Sequence, residues 1–307
     1  MAALHISMLG RFQVLRNGTV APGFGAQKEQ ELFGYLLTHR ATPHHREKLA
    51  TLLWQDASSA QSRQYFRKAL WQLQTDLDNV AGRLPVLIVE PEWIQVNARA
   101  DLKLDLLDFE ETFATVKHCA PAQLTVDHVA QMARAVQLYH GELLQGWYQE
   151  WCVYERERIQ HMYLFMLDSL VQSCMRDGQY QRGIEYATLV LRCDPAREYT
   201  HRQLMYLYAL SGDRTSAIRQ YARCADILRK ELGVEPAATT QELHRAICSD
   251  RVHAENALYR RPTAHTDDTD DTATLADIAD QIGQLQQQLQ RIGAALEQHL
   301  GTQPDAH

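Results

Sequence analysis

A repeat of 34 residues occupies the middle of the chain and limits the folds that it can adopt. Residues 167–195 align with residues 201–229 at this offset, which pairs Gly178 with Gly212 and places small residues where two helices would cross. One helical hairpin cannot bury its own apolar face, so repeats of this period stack on their neighbours. The repeat therefore predicts a tetratricopeptide-like α-helical domain, which we place over residues 99–248.

The N-terminal third of the chain contains a different order of elements. Alternating apolar residues and an Asn17-Gly18 turn predict a small antiparallel β-sheet at its start. Three helical patterns follow, over about 27–39, 45–54 and 62–77. Two β-rich runs, 84–89 and 93–96, then predict a hairpin across Pro91-Glu92. This is the order of elements in a winged helix-turn-helix, so we predict a DNA-binding domain over residues 1–98 of a mainly α protein.

The third helical pattern, SRQYFRKALWQLQTDL over residues 62–77, has two distinct faces. Its apolar residues follow steps of four, three and four, which is the spacing of one helix face: Phe66, Leu70, Leu73 and Leu77. The opposite face carries Gln61, Gln64, Lys68, Trp71, Gln72 and Thr75, with Arg67 on its flank. Periodicity alone leaves two alternatives open for this face, which is either solvated or placed in a DNA groove.

Charge is unevenly distributed along the chain. The net charge is −7, but residues 1–98 hold ten Lys and Arg against eight Asp and Glu, a balance of +2. The other residues therefore carry 21 basic and 30 acidic side chains, a balance of −9. The whole chain is thus too acidic to coat nucleic acid, and its N-terminal third is the only segment without an acidic surplus.

Sequence motifs give no support for an enzyme. We find no phosphate-binding loop, no GxSxG nucleophile motif and no HExxH zinc motif. The histidines at 39, 44 and 45 cluster in a predicted link between helices, where contact with phosphate or solvent is favoured over metal binding. We therefore expect a protein that is not an enzyme and that uses neither a cofactor nor a metal.

Cysteine spacing and hydropathy indicate a cytoplasmic protein. The six cysteines never form a CxxC pair and lie mostly in helical patterns, which is typical of reduced core thiols. The N-terminus lacks the basic start and long apolar run of a secretory signal. No window approaches eighteen consecutive apolar residues, so no membrane span is expected.

The C-terminal part of the chain combines a polar linker with a heptad pattern. Residues 249–273, and the acidic stretch PTAHTDDTDDTA in particular, are predicted to be a linker. Residues 274–300 repeat apolar side chains in three-four steps: Leu275, Ile278, Ile282, Leu285, Leu289, Ile292 and Leu296. This is the pattern of a coiled coil and predicts a homo-oligomer, with a helix docked on the protein's own surface as the alternative.

Several segments resemble bacterial regulators of the Streptomyces antibiotic regulatory protein type. In that family an OmpR-like winged helix precedes a bacterial transcriptional activation domain. The similar segments are LHISMLGRFQV (4–14), LLWQD (52–56), SRQYFRKALWQLQTDL (62–77), YHGELLQGWYQEW (139–151), HRQLMYLYALSGDRTSAIRQY (201–221) and LGVEPAATTQELHRAI (232–247). The resemblance covers about residues 3–248. It implies a sequence-specific activator that binds double-stranded DNA at promoter direct repeats and contacts RNA polymerase.

The resemblance places the recognition helix on residues 60–77. The implied DNA-binding residues are Arg63, Gln64, Arg67, Lys68, Trp71 and Gln72, with phosphate contacts from His44, Arg46 and Lys48. Gln64 has the chemistry for a bidentate contact with adenine, and Arg67 or Lys68 for guanine or phosphate. For Trp71, packing on the wing or the helical domain is favoured over a contact with DNA.

Two features depart from the family pattern. Family members often carry Arg near positions 72 and 74, where this chain has Gln72 and Gln74. The predicted hairpin tip has Glu90 and Glu92, which phosphate would repel at contact distance. These features predict a wing outside the minor groove and affinity that depends on oligomers. They also leave an alternative function, a tetratricopeptide-like interaction scaffold with a degenerate winged helix.

Overall fold

A computed structural model describes residues 4–21, 23–80 and 84–251. All of these described residues belong to one compact unit. The predicted coiled coil over 274–300, and all of the predicted linker beyond residue 251, lie outside the described residues.

The first β-sheet joins the two ends of the N-terminal region. Its strands are β1 (Leu4–Ser7), β2 (Gln13–Arg16), β3 (Thr19–Val20) and β7 (Leu102–Leu104), in the order β3-β2-β1-β7. β1 pairs antiparallel with β2, as predicted, but it pairs in parallel with β7. Asn17 and Gly18 both have positive φ in the β2–β3 turn. The predicted antiparallel sheet is therefore a mixed one, because its fourth strand comes from a distant part of the chain.

The winged helix follows the predicted order of elements. Its elements are α1 (Gln27–Thr38), β4 (His44–His45), α2 (Arg46–Leu53), α3 (Ser59–Val80), β5 (Leu87–Val89) and β6 (Trp93–Val96). The second sheet has the order β4-β6-β5. His44 and His45 were expected in a loop, and this expectation is wrong. They form β4 because they pair with Ile94 and Trp93 across the sheet.

α3 is held by its apolar stripe and by a cap. Each of the four stripe residues is at most 2% exposed. Burying a side chain of this size contributes about 1.5–3 kcal/mol, so the stripe fixes which face of α3 is turned outward. At the start of the helix, the Gln61 backbone N–H donates to Ser58 Oγ, and Gln61 Oε1 accepts from the Ser58 backbone N–H. This reciprocal pair is a capping box, which satisfies two backbone donors.

The helical domain contains seven helices within the described residues. They are α4 (Asp105–Val116), α5 (Val126–Leu138), α6 (Glu150–Arg176), α7 (Tyr180–Cys193), α8 (Glu198–Leu210), α9 (Arg214–Leu232) and α10 (Ala238–Cys248). The α6–α7 and α8–α9 hairpins are the two predicted repeats, and Gly178 and Gly212 have positive φ in their turns. At Gly183 a Cβ would lie 3.0 Å from Leu207 Cδ2, so the helices cross closely there. The predicted helical repeats are confirmed.

Asp105, at the start of α4, links the helical domain to the first sheet through hydrogen bonds. Its carboxylate accepts hydrogen bonds from the backbone N–H groups of Met8 at 2.9 Å and Leu9 at 3.0 Å. The segment before α6 adds main-chain bonds, from Leu144 N to Met8 O and from Gln145 N to Gly10 O, each 2.8 Å long. The two predicted domains therefore meet through the backbone at the β1–β2 turn.

A second set of contacts joins α1 to the helical domain. Glu110 of α4 accepts from Arg40, after α1, and from Arg158 of α6 at 2.5 Å. The rings of Tyr35 and Trp151 pack edge to face with centroids 5.1 Å apart. The domain limits at 98/99 and 248/249 stay predictions, while the core itself continues across the first of them.

The cysteines and the helix lengths add two observations. All six cysteines are free thiols, and Cys152, Cys174 and Cys224 are buried. Within the described part of the chain, no helix combines the length and the apolar character that crossing a bilayer requires.

Candidate nucleic-acid interface

The outward face of α3 exposes most of the predicted recognition residues. Gln64, Arg67 and Lys68 are exposed, because the buried stripe occupies the other side of the helix. Among the described residues, none of these three side chains has a hydrogen-bond or ion-pair partner. Their donors are therefore available for a ligand at no cost in broken contacts.

Two other predicted residues already have partners. Arg63 lies 3.2 Å from Glu47 on α2 and also donates to the Ser59 carbonyl oxygen. Arg46 donates to the Pro91 carbonyl oxygen at 3.1 Å, which links α2 to the hairpin tip. Together with Arg67, they line a groove between the starts of α2 and α3 and the hairpin. Binding phosphate through Arg63 or Arg46 therefore means exchanging an existing contact.

Trp71 and Gln72 lie in the second half of the outward face of α3, and their surroundings differ from those of Gln64, Arg67 and Lys68. The sequence favoured packing of Trp71 on the wing or the helical domain. This expectation is wrong, because the Trp71 side chain is 65% exposed. The physical reason is that the helical domain contacts α1 and the β1–β2 turn instead of the outer face of α3. Gln72 is half-buried, and its amide donates to both Asp76 carboxylate oxygens at 3.3 and 3.2 Å. Its predicted contact with DNA stays a prediction.

The predicted phosphate contacts of α2 and β4 lie in different surroundings. Lys48 is exposed on α2, and its predicted phosphate contact stays a prediction. The His44 ring is half-buried, with Nε2 2.9 Å from the His39 carbonyl oxygen and its centroid 5.4 Å from that of Tyr35. His44 thus packs beside the joint with the helical domain, and its predicted phosphate contact remains untested.

The hairpin β5–β6 is the wing, and its tip is acidic as predicted. Glu90, Pro91 and Glu92 are exposed, and the Glu90 backbone N–H donates to the Trp93 carbonyl oxygen at 2.8 Å. The Trp93 ring packs against that of His45 at 5.3 Å. The wing therefore presents two carboxylates and part of an indole beside the exposed face of α3.

Comparison with known domain families assigns the helical region. Residues 104–248 match the bacterial transcriptional activator domain. This match spans just under half of the chain. Together with the relatives below, the match confirms the resemblance to regulators of the Streptomyces antibiotic regulatory protein type.

Two of the similar proteins are named as regulatory proteins. The chain is 26% identical over 246 residues to the regulatory protein AfsR of Streptomyces coelicolor, which covers 80% of this chain and 24% of AfsR. It is 22% identical over 247 residues to the transcriptional regulatory protein MoaR1 of Mycobacterium tuberculosis, over 80% of this chain and 79% of MoaR1. The chain therefore spans about a quarter of the AfsR length and most of MoaR1.

A solved structure shares the fold. Mycobacterium tuberculosis EmbR, in complex with low affinity phosphopeptide, superposes with a TM-score of 0.67 at 20% sequence identity. The match covers 82% of this chain and 66% of the EmbR chain. It supports the arrangement of a winged helix followed by a helical domain.

The structure also contains a cavity that the sequence did not indicate. It lies between α1 and α3, next to the outward face of α3, and it contains the carboxylates of Glu29 and Asp76. Burial, and then the neighbouring Asp76, raise the pKa of Glu29 to about 7. The available signal was a charged residue within the apolar stripe of α1, which also contains Leu32 and Leu36.

Glu29 makes a pH-dependent contribution to stability. Because its pKa is higher in the folded than in the unfolded state, this contribution is complete below pH 4.5 and is lost as the pH rises towards about 7. We expect Glu29→Gln to remove this loss and to raise the free energy of unfolding at pH 8 by about 2 kcal/mol. Urea unfolding of both proteins between pH 5 and pH 8 measures the difference. If the free energy of unfolding changed equally with pH in the two proteins, Glu29 would not be the group that causes the loss of stability.

Proposed function

We propose that the chain is a sequence-specific DNA-binding transcriptional activator. α3 enters the major groove at promoter direct repeats, and the helical domain contacts RNA polymerase. The observation that carries the proposal is the exposed set Gln64, Arg67 and Lys68 on α3, which have no partner among the described residues and lie beside a wing, in a chain that matches the bacterial transcriptional activator domain. Residues 274–300 assemble the chain into a homo-oligomer.

The chemistry of the face supports a division of roles. Gln64 lies near the start of α3, where its amide can donate to adenine N7 and accept from N6. Arg67 and Lys68 lie next to each other on the helix and supply cations for guanine or phosphate. Lys48 on α2 contacts the phosphate backbone and fixes the register of α3 in the groove. Arg46 takes the same role once it leaves Pro91.

A second function is favoured by the acidic wing. Carboxylates at Glu90 and Glu92 repel a phosphate backbone, whereas they are compatible with a protein partner. In that case the helical domain is a scaffold for another protein, and the winged helix is an interaction module. The two functions differ in whether the chain selects DNA sequences.

Selection from random double-stranded oligonucleotides tests the proposal. We expect the purified full chain to enrich a repeated site and to bind it with an affinity that falls steeply with salt, because phosphate contacts release counterions. Removing residues 262–307 should weaken binding to two adjacent repeats and leave binding to one repeat unchanged. Adding the full chain to RNA polymerase on a selected promoter should increase transcription. Recovery of no enriched sequence would favour the scaffold instead.

The acidic wing gives a separate prediction about affinity. We expect Glu90→Gln combined with Glu92→Gln to raise the affinity for a selected site about three- to tenfold at low salt, because two repulsive charges near phosphate are removed. Gel-shift titrations at several salt concentrations measure this change. Glu231→Gln with Glu242→Gln removes the same charge from exposed positions on α9 and α10 and serves as the control. Equal affinities of the wing variant and the control would place the wing away from DNA.

A further inference from the structure

The cavity between α1 and α3 has apolar walls and an acidic end. It is lined by Gly23, Gly25, Ala26, Lys28, Glu29, Trp54, Tyr65, Lys68, Ala69, Gln72 and Asp76. Trp54 and Tyr65 supply aromatic surface, with ring centroids 6.5 Å apart. Such a concave, mostly apolar site with a few convergent polar groups is the usual form of a small-molecule pocket.

The acidic end contains a carboxylate oxygen without a partner. Glu29 is only 2% exposed, and its Oε1 makes no hydrogen bond with any described residue. Asp76, 8% exposed, accepts from the Phe24 backbone N–H at 3.2 Å and from the Gln72 amide. A buried carboxylate oxygen without a donor is costly, so a donor from a ligand would be favourable there.

The nearby cations do not neutralise this end of the cavity. Lys28 places its ammonium group 2.6 Å from Glu31 and 2.8 Å from the Leu53 carbonyl oxygen, so its donors are directed elsewhere. Lys68 is exposed on α3 and has no ion-pair partner among the described residues. Burial, and then the hydrogen bond and the charge of Asp76, raise the pKa of Glu29, and among the described residues neither carboxylate forms an ion pair with a Lys or Arg side chain.

We propose that this cavity is a binding site for a small organic cation, a protonated amine attached to an aromatic or apolar body. The ammonium group donates to Glu29 Oε1 and is attracted by the Asp76 carboxylate. The apolar body lies against Ala69, Trp54 and Tyr65, which supply nonpolar contact area. Charge complementarity thus selects an amine over a neutral or acidic compound of the same shape.

The location of the site couples it to DNA binding, a step that rests on the proposed function. Lys68 and Gln72 line the cavity and also belong to the predicted DNA-binding face of α3. A ligand that engages Asp76 competes with the Gln72 amide for the same carboxylate oxygens. Occupancy of the cavity would therefore change the position of groups that contact DNA.

Titration with phenethylammonium, followed by ligand-observed NMR on the full chain, tests the site without DNA. We expect saturable binding with a Kd on the order of 1 mM for a probe of this size. The neutral 2-phenylethanol and the anionic phenylacetate should bind at least about tenfold more weakly, which is the effect of one good charged contact. Glu29→Gln should cause a similar loss, and Ala69→Trp should block the cavity without changing its charge.

Glu47→Gln is the matched control, because Glu47 is an exposed carboxylate outside the cavity lining. Equal affinity of Glu29→Gln and the unmodified chain, or equal affinity of the amine and its neutral analogue, would overturn the proposal. A gel shift with and without the probe then measures coupling. Probe binding without any selective DNA binding would overturn the proposed function and leave the amine site supported.

Discussion

Replacing Arg67 and Lys68 together with alanine is expected to lower the affinity for a selected promoter site about a hundredfold. Both side chains are exposed on the outward face of α3 and have no partner among the described residues. Each contact with a base edge or phosphate contributes about 1–3 kcal/mol, so the loss of two gives an effect of this size. The slope of log affinity against log salt should also become shallower by up to about two.

The variant Arg229→Ala with Lys230→Ala provides the matched control. It also removes one Arg and one Lys from adjacent exposed positions, but on α9 of the helical domain. We expect it to change the affinity less than about twofold, since it alters the net charge and not the contact face. If both double variants bound equally well in gel-shift titrations, α3 would not be the recognition helix.

Replacing Asp105 with alanine is expected to destabilise the protein by about 3 kcal/mol. Met8 and Leu9 are at most 1% exposed, and their backbone N–H groups donate to this carboxylate. The substitution leaves three buried donors without an acceptor, because the Leu106 backbone N–H also donates to Asp105 Oδ1 at 2.7 Å, and each lost acceptor costs about 1–3 kcal/mol. It also removes the hydrogen bonds that link the end of β1 to the start of α4. Equilibrium unfolding in urea measures the change.

Two further variants distinguish the loss of the hydrogen-bond acceptor at Asp105 from the loss of a negative charge at the start of α4. Asp105→Asn keeps one side-chain oxygen and should cost less than Asp105→Ala. Asp108→Ala removes an exposed carboxylate from the first turn of the same helix and should cost under about 1 kcal/mol, the size of its interaction with the helix dipole. Equal destabilisation by Asp105→Ala and Asp108→Ala would show that the hydrogen bonds to Met8 and Leu9 contribute little.

The helices were the most predictable part of the fold, because their signals are local. The stripe of α3 repeats within a single helix face, and Ser58 and Gln61, only three positions apart, form the cap. Gly178 and Gly212 lie in the turns that the repeat indicated. In each case the residues that determine the element are within a few positions of one another.

The misplaced elements depend on distant partners. β4 consists of two residues, and only pairing with Ile94 and Trp93 makes it a strand. β7 joins β1 although nearly a hundred residues separate them, and no local pattern records that pairing. Trp71 looked like a packing residue because it is large and aromatic, but the neighbour that would cover it docks on another side.

The sequence by itself determined the order of elements, the inward face of α3 and the set of polar residues opposite to it. These properties follow from periodicity, since a 3.6-residue turn fixes which side chains share a face. The tertiary structure decided which of the basic residues are available: Arg63 acquires a partner from α2, and Arg46 of α2 acquires one from the hairpin tip, whereas Arg67 and Lys68 have none among the described residues. It also placed Glu29 beside Asp76, two carboxylates 47 positions apart, and so formed an acidic cavity that local periodicity does not encode.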